Sequence, residues 1–169
     1  ATDTQGLVAS DYDKAINLLQ NKDEYRFSLL ATPGLTLQDH SSVLTTLTNN
    51  ARSRGDFFVV ADPVRYGSTI LAAKSQASVL NSSYAAVYWP WCQIIDPDRG
   101  STVFVPASTM MPGVFAFNDN VSEPWFAPAG INRGTIGNVL RAERRLTQAN
   151  RDELYEANVN PIATFPNAG

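Results

Sequence analysis

Helical and extended patterns of apolar residues alternate along the chain. Apolar positions spaced three and four residues apart predict amphipathic helices over 11–21, 36–54 and 68–80. Short apolar runs predict strands over 25–32, 56–62 and 84–95. Strands joined through helices form right-handed βαβ units, in which the strands run parallel. The sequence therefore predicts an α/β fold: a mostly parallel sheet with helices on both faces.

Turn and capping residues punctuate these elements. Thr36 and Asp39 have the spacing of a capping box, and Gly55 suits the left-handed position that closes a helix. Pro33–Gly34 is expected to end the first strand. Asn158 is expected in a second left-handed closing position. The predicted N-caps of the other helices are Asp11, Ser68 and Thr147.

The second half of the chain adds a hairpin and further helices. A turn at 96–100 is expected to join the 84–95 strand to a second arm at 101–105, which makes a β-hairpin. Pro90 indicates an edge or a bulge in that strand. Further helices are predicted from Pro112 onward, over 135–146 and over 147–157, with extended chain after them at 159–165.

Composition and charge exclude several classes of function. The chain has 169 residues, enough for one domain, and its 13 basic against 16 acidic residues give a net charge of −3. This balance argues against binding nucleic acid through bulk positive charge. No apolar run approaches a membrane span. Charged residues make up only 17% of the chain, which indicates that other protein covers part of the surface.

Candidate catalytic residues are few and isolated. One cysteine, Cys92, and one histidine, His40, cannot build a multi-histidine metal site, and both lie at apolar positions of predicted elements. We expect a partly buried, hydrogen-bonded imidazole at His40 and a buried thiol at Cys92. Asp62 and Asp96 end strands where an α/β enzyme would place its site, but no glycine-rich phosphate motif follows either strand. A role in forming turns explains Asp62 and Asp96 better than a role in catalysis does. We expect no catalytic, cofactor-binding or metal-binding residues, and no enzymatic activity.

Arginines are concentrated near the end of the chain, among acidic residues such as Glu143 and Glu153. Four of them, Arg141, Arg144, Arg145 and Arg151, fall on the predicted helices over 135–146 and 147–157. The pattern is typical of a solvated, internally paired helical face, or of a contact surface, since arginine is enriched at protein interfaces. On the second interpretation, the candidate interface with other subunits or an inner tube consists of Arg133, Arg141, Arg144, Arg145 and Arg151.

Three stretches carry a family resemblance. They are YAAVYWPW at 84–91, EPWFAPAG at 123–130 and NVNPI at 158–162. In this order and spacing, the chain resembles the sheath protein of contractile bacteriophage tails and related contractile injection machines. The W-x-A-P-A-G and N-V-N-x-I stretches are the most specific, and the resemblance extends over nearly the whole chain. Pro112 departs from the family pattern, as does Asn158, which replaces a common glycine.

The resemblance implies a structural protein without enzymatic activity or cofactor. Its copies would polymerise helically around the inner tail tube and contract to drive the tube through the host envelope. The implied partners are other sheath copies, the inner tail tube protein, and the baseplate and tail terminator proteins, with no nucleic acid and no membrane. The implied location is the virion tail sheath, assembled in the host bacterial cytoplasm.

Two alternatives stay open at this point. The chain could serve as the sheath of a type VI or extracellular contractile injection system, or it could be a doubly wound enzyme domain with an incomplete site. The chain lacks an initial methionine and stops just after a predicted strand. We therefore expect residues 1–169 to be a single α/β sheath-core domain of a longer subunit, without its C-terminal tube-binding part.

Overall fold

The structure, a computed structural model, describes residues 7–165. Its helices are α1 Ala9–Leu18, α2 Leu37–Arg54, α3 Ile70–Ala77, α4 Ala107–Val121, α5 Gly130–Arg133 and α6 Gln148–Glu156. Its strands are β1 Leu29–Thr36, β2 Phe58–Asp62, β3 Ala85–Trp89, β4 Cys92–Ile95, β5 Thr102–Val105, β6 Val139–Ala142 and β7 Val159–Pro161. Within this range no helix has both the length and the apolar character needed to cross a membrane.

A four-stranded parallel sheet forms the centre of the fold, in the order β1-β2-β3-β7. The predicted parallel sheet is confirmed. Strand β1 lies four residues further along the chain than the predicted strand over 25–32, because its pairing with β2 shifts between Ala31 and Thr36 and resumes beyond the irregularity. Pro33–Gly34 therefore lies inside β1, and the prediction that it ends the strand was wrong. A proline is tolerated there because β1 is an edge strand.

Helices cover both faces of the parallel sheet, as predicted. Val59 on β2 packs with Val43 and Leu47 of α2. On the same face, α3 and α6 pack around β3 and β7, where Leu154 is fully buried. The next residue, Val60, points to the opposite face and packs against α4. Because β2 is buried on both faces, its run of apolar residues is continuous rather than alternating.

Helix α4 runs back along the sheet, antiparallel to β2. At its start, the Ser108 backbone N–H and Oγ donate to the Asp62 carboxylate at 3.0 and 2.5 Å. Eight residues into the helix, the Phe115 ring lies 6.0 Å from the Phe58 ring at the other end of β2. The prediction that this helix begins at Pro112 was wrong, because Asp62 satisfies a free N–H of the helix start five residues earlier.

A second, antiparallel sheet follows the parallel one, in the order β5-β4-β6. The predicted 84–95 strand is two strands, because the chain leaves the parallel sheet at the cis Trp89–Pro90 bond and enters β4. The predicted turn at 96–100 is confirmed by the Gly100 N–H, which donates to the Asp96 carbonyl at 2.8 Å. Strands β4 and β5 form the expected hairpin.

The helix predicted over 135–146 was wrong. Residues Val139–Ala142 form β6, which pairs antiparallel with β4. Asn138 takes a left-handed conformation, with φ 62°, immediately before the strand. Backbone pairing with β4, which is distant in sequence, outweighs the helical spacing of the apolar residues in this stretch. The prediction of a helix over 147–157 is confirmed as α6.

Several helix ends follow the local signals. Gly55 and Asn158 are left-handed, with φ 73° and 59°, as predicted. Thr147 caps α6 and forms a capping box with Asn150. Two predicted caps were wrong: Thr69 rather than Ser68 caps α3, and Asp11 lies in the first turn of α1. In the second case the Asp11 carboxylate instead accepts from the Val8 N–H at 3.3 Å.

We predict that Leu44→Ala lowers the free energy of unfolding by about 2–5 kcal/mol, because the side chain is 0% exposed and its removal leaves a cavity. Leu71→Ala is the matched control. Leu71 is 75% exposed on α3, so its truncation should change stability by less than about 0.5 kcal/mol. Urea denaturation measures both variants. Equal effects would contradict this assignment of the core.

The Asp62 carboxyl predicts a pH dependence of stability. Burial is the main cause that raises its pKa from 3.8 to about 6, and the hydrogen bonds from Ser108 only partly oppose the increase. The folded state therefore takes up this proton more readily than the unfolded chain. The stabilisation that this proton provides is complete below pH 3.8 and is lost as pH rises through about 6. Its size is at most about 3 kcal/mol.

Asp62→Asn keeps an oxygen that can accept from Ser108 but has no titrating group. The free energy of unfolding of the variant, measured between pH 4 and pH 7, should therefore lack this decrease. Subtracting the two profiles isolates Asp62 from the other carboxyls. If the free energy of unfolding changed with pH in the same way in the wild type and the variant, the prediction would be contradicted.

Candidate subunit interface

Structural contacts fill the carboxyl end of the parallel sheet, where doubly wound enzymes bind their ligands. The β2–α3 loop, residues 63–69, lies at this end. Trp91 Nε1 donates to the Val64 carbonyl at 3.1 Å, and the Tyr66 ring lies 4.7 Å from the Phe104 ring. Glu143 accepts from the Gly67 N–H at 2.5 Å. The antiparallel sheet is thereby attached to this end of the parallel sheet.

The candidate residues Asp62 and Asp96 form hydrogen bonds that stabilise local structure. Asp62 is bonded to Ser108, and Asp96 accepts from the Asp98 N–H at 2.9 Å within its turn. The two carboxylates thus serve different local structures. The role of Asp62 exceeds the predicted turn role, since it holds the start of α4. Within residues 7–165, no group of three His, Cys, Asp or Glu residues is placed to hold a metal ion.

His40 and Cys92 lie within the fold rather than in a shared site. His40 is half-buried, as predicted, at a non-helical break in α2 with φ −131°. Its Nδ1 atom is buried and has no hydrogen-bond partner among residues 7–165, so the predicted hydrogen-bonded imidazole is not found at that atom. Cys92 is buried on β4, and burial is the main cause that raises its pKa to about 12. A thiol with so high a pKa is a poor nucleophile.

A cleft of about 400 Å³ opens at the amino ends of β3 and β7. It is thus at the opposite end of the sheet from the position that doubly wound enzymes use. Tyr155 and Asn160 are among its lining residues, whereas none of Asp62, His40 and Cys92 is. The cleft therefore brings together none of the candidate catalytic residues.

The arginines do not share a helical face. Arg141 lies on β6, where its Nε donates to Gln93 at 2.7 Å. Arg144 follows β6 and reaches the Gly67 carbonyl at 3.5 Å, while Arg145 is exposed and has no ion-pair partner within residues 7–165. Glu143, between them, bonds to the β2–α3 loop. We call the exposed positive patch of Arg141, Arg144 and Arg145 the arginine surface.

The other two candidate arginines bind their own chain elsewhere. Arg151 Nη1 donates to the Leu146 carbonyl at 3.1 Å, and its guanidinium lies 5.2 Å from the centre of the Phe165 ring. The Arg133 guanidinium lies 4.8 Å from the centre of the Phe126 ring. Three of the five predicted interface residues, Arg141, Arg144 and Arg145, thus lie on β6 or just after it. Their role in an interface stays a prediction.

A second surface was missed by the sequence analysis. Residues 122–134, which we call the aromatic loop, follow α4 and expose 78% of Trp125 and 66% of Ile131. Phe126 and the nearby α4 residues Phe117 and Val121 are also exposed. Large apolar residues exposed together mark interaction surfaces. The available signal was the combination of aromatic residues with Pro124, Pro128 and Gly130, which favours a loop rather than a buried element.

Specific contacts shape the aromatic loop. Asn118, buried on α4, donates to the Phe126 carbonyl at 3.0 Å. The Gly134 N–H donates to the Gly130 carbonyl at 2.8 Å. A Cβ atom at Gly134 would lie 2.8 Å from Ala129 Cα, closer than real atoms approach. The loop therefore depends on glycine at 134 and presents Trp125 from a defined backbone.

The sequence and the structure match known sheath proteins. The family model described as phage tail sheath protein central domain matches residues 5–169. The tail sheath protein of Vibrio phage KVP40 is 34% identical over 90 residues, which are 53% of this chain and 13% of that protein. The tail sheath protein of Enterobacteria phage T4 is 37% identical over 83 residues, which are 49% of this chain and 13% of that protein.

A solved structure shares the fold. It is a chain in the cryo-EM structure of the anti-feeding prophage (AFP) baseplate, 6-fold symmetrised, with a TM-score of 0.67 and 25% sequence identity. The match covers 96% of this chain and 41% of that chain. The curated relatives and this neighbour are therefore much longer than the segment they share with the chain.

We predict that Gly134→Ala disorders the aromatic loop without unfolding the domain. The added methyl group meets the Ala129 backbone, which cannot move aside as a flexible side chain would. Hydrogen exchange should become several-fold faster in residues 122–134 and stay unchanged in β2. Gly113→Ala on α4 is the matched control, because apart from its own helix backbone and chain neighbours no atom of the described residues lies within 4 Å of its added Cβ. Unchanged exchange in the loop of the Gly134 variant would contradict the prediction.

Proposed function

The chain belongs to the phage tail sheath protein family, and we propose that, within a complete subunit, it polymerises helically around an inner tail tube. The polymer contracts and drives the tube through the host cell envelope. The observation that carries this proposal is the family match over residues 5–169, joined to the relatives named as tail sheath proteins. The 169 residues act as one α/β core domain of that longer subunit.

The geometry supports mechanical rather than catalytic work. The carboxyl end of the parallel sheet is occupied by the β2–α3 loop and the antiparallel sheet, through the Trp91–Val64 and Glu143–Gly67 bonds. This observation disfavours a doubly wound enzyme domain, since such enzymes leave that end open for ligand. We accordingly propose that the protein has no enzymatic activity and needs no cofactor. Contacts on its surface do the work.

The proposed partners follow from this role. They are other copies of the subunit, the inner tail tube protein, and the baseplate and tail terminator proteins. The protein is located in the virion tail sheath after assembly in the host bacterial cytoplasm. It binds neither nucleic acid nor membrane in this role.

A small preference in each subunit is enough for contraction. Shifting a two-state population from 1:99 to 99:1 takes about 5.5 kcal/mol. About six rigidly coupled copies supply this if each prefers the contracted lattice by about 1 kcal/mol. Exposed ion pairs contribute at most about 1 kcal/mol each, so they matter only when they are repeated through a lattice. The arginine surface is suited to such repeated contacts.

A second candidate function is the sheath of an extracellular contractile injection system. The observation that favours it is the anti-feeding prophage baseplate structure, which aligns with 96% of this chain. Both candidates require the same helical polymer and differ in the machine that the polymer serves. The relatives that are named as sheath proteins come from phages, which favours the phage tail.

Electron microscopy of the complete gene product tests the proposal. We expect hollow helical sheaths after purification or after addition of the tube protein. Two helical forms, one longer and narrower than the other, would support contraction. A protein that stays dispersed with and without tube protein would contradict the proposal.

We predict that Arg144→Glu with Arg145→Glu impairs sheath polymerisation but barely changes the melting temperature. Neither side chain is buried or ion-paired within residues 7–165, so folding loses little. Arg26→Glu with Arg52→Glu is the matched control, because it makes the same change of net charge at exposed positions. Sedimentation of the polymer and thermal melting measure both. Wild-type amounts of normal sheath from the Arg144/Arg145 variant would contradict the prediction.

A further inference from the structure

The aromatic loop and the arginine surface lie at opposite ends of the domain. Helix α4 starts beside Asp62, at the carboxyl end of β2, and passes Phe58 at the amino end before the aromatic loop begins. Its 15 residues span about 22 Å. Arg144 instead contacts Gly67 in the β2–α3 loop, at the carboxyl end. The two surfaces therefore point away from the same domain in different directions.

The aromatic loop is apolar and negative. Trp125 and Ile131 are its most exposed apolar side chains. Asp119, two residues before the end of α4, and Glu123, two residues before Trp125, are exposed, and neither forms an ion pair within residues 7–165. Arg133, the nearby cation, stacks on Phe126. This surface therefore offers carboxylates that lack a cationic partner beside an aromatic anchor.

The arginine surface has the complementary character. Arg144 and Arg145 are exposed and have no carboxylate partner within residues 7–165. Tyr66, next to the Gly67 that Arg144 reaches, is about half exposed, and so is Leu140, the residue before Arg141 on β6. Guanidinium groups pair with carboxylates and also stack on aromatic rings. Both the charge and the apolar content of this surface therefore match those of the aromatic loop.

We propose that the aromatic loop of one subunit docks on the arginine surface of the next subunit. This inference rests on the proposed function, since it names the contact through which the copies assemble. Glu123 faces Arg145 across the contact, and Trp125 packs beside them. A two-fold contact through the aromatic loop alone would bring carboxylates against carboxylates, so a second copy binds through its arginine surface instead.

The contact is directional, which explains an open polymer. Each subunit presents one aromatic loop and one arginine surface, so using one leaves the other free for a further copy. A contact between different surfaces of identical subunits builds a helix when its rotation does not close a ring. The same two surfaces thus supply a repeating longitudinal or lateral contact of the sheath.

Cysteine cross-linking in the complete gene product tests the contact. Glu123→Cys and Arg145→Cys are made separately, and the native Cys92 is buried. After the variants are mixed, assembled and oxidised, covalent dimers should form in the mixture and not in either variant alone. Glu123→Cys with Arg26→Cys is the matched control pair and should give no dimers. Dimers of Glu123→Cys alone, or none in a mixture that has assembled, would overturn the proposal.

Charge exchange gives an independent measurement. Glu123→Arg alone and Arg145→Glu alone should each raise the protein concentration needed for assembly at least tenfold, and the two together should restore it. Normal assembly of both single variants, or a double variant that assembles as poorly as the single variants, would overturn the proposed docking. Assembly of the wild type separates failure of the contact from failure of the proposed function. If the wild type never polymerises, both the proposed function and the contact are wrong. If the wild type polymerises but the double variant does not recover assembly, only the contact is wrong.

Two other binding partners for the aromatic loop would give different results in these experiments. If the tube protein covers the aromatic loop, Glu123→Cys will cross-link to the tube protein rather than to Arg145→Cys. If another part of the same subunit covers it, a single complete subunit will protect Trp125 from fluorescence quenching by acrylamide before assembly. Either result would overturn docking between copies. Quenching of Trp125 in the free subunit, lost on assembly, supports it.

Discussion

The attachment of the antiparallel sheet to the carboxyl end of the parallel sheet determines what this domain can do. The β2–α3 loop makes the attachment, since Val64 accepts from Trp91, Tyr66 stacks on Phe104 and Gly67 donates to Glu143. The same loop is tied to α2 by the ion pair of Arg65 with Asp39. The β4–β5 hairpin, the segment after β6 and helix α2 therefore all contact this one loop, at the end of the sheet where doubly wound enzymes bind their ligands.

A domain built in this way is suited to transmitting force between neighbours. Helices α2 and α4 cover opposite faces of β2, and the contacts of the β2–α3 loop join both sheets into one packed unit. Close-packed interiors deform little, so strain passes to the surfaces. The aromatic loop and the arginine surface are exposed at different ends of this unit. On the proposed function, small differences in how neighbouring copies pack on these surfaces are multiplied by the number of copies.

Local signals in the sequence predicted local structure well. Gly55, Thr147 and Asn158 end or begin helices as expected, because each acts through its own backbone or that of its near neighbours. Long-range contacts were less predictable. Strand β6 was expected to be a helix, because its apolar spacing is helical and nothing nearby in sequence reveals β4 as its partner. The arginine surface consequently has a different shape from the predicted helical face, and the exposure of Trp125 depended on where α4 ends.

Cryo-EM reconstructions of the complete polymer before and after contraction would show whether residues 7–165 act as one rigid unit that works through changing contacts with its neighbours. We expect these residues to superimpose between the two states, with β2, β6 and α4 in the same relative positions, while the contacts between copies change. Movement of the antiparallel sheet relative to the parallel sheet, or unchanged contacts between copies, would contradict it.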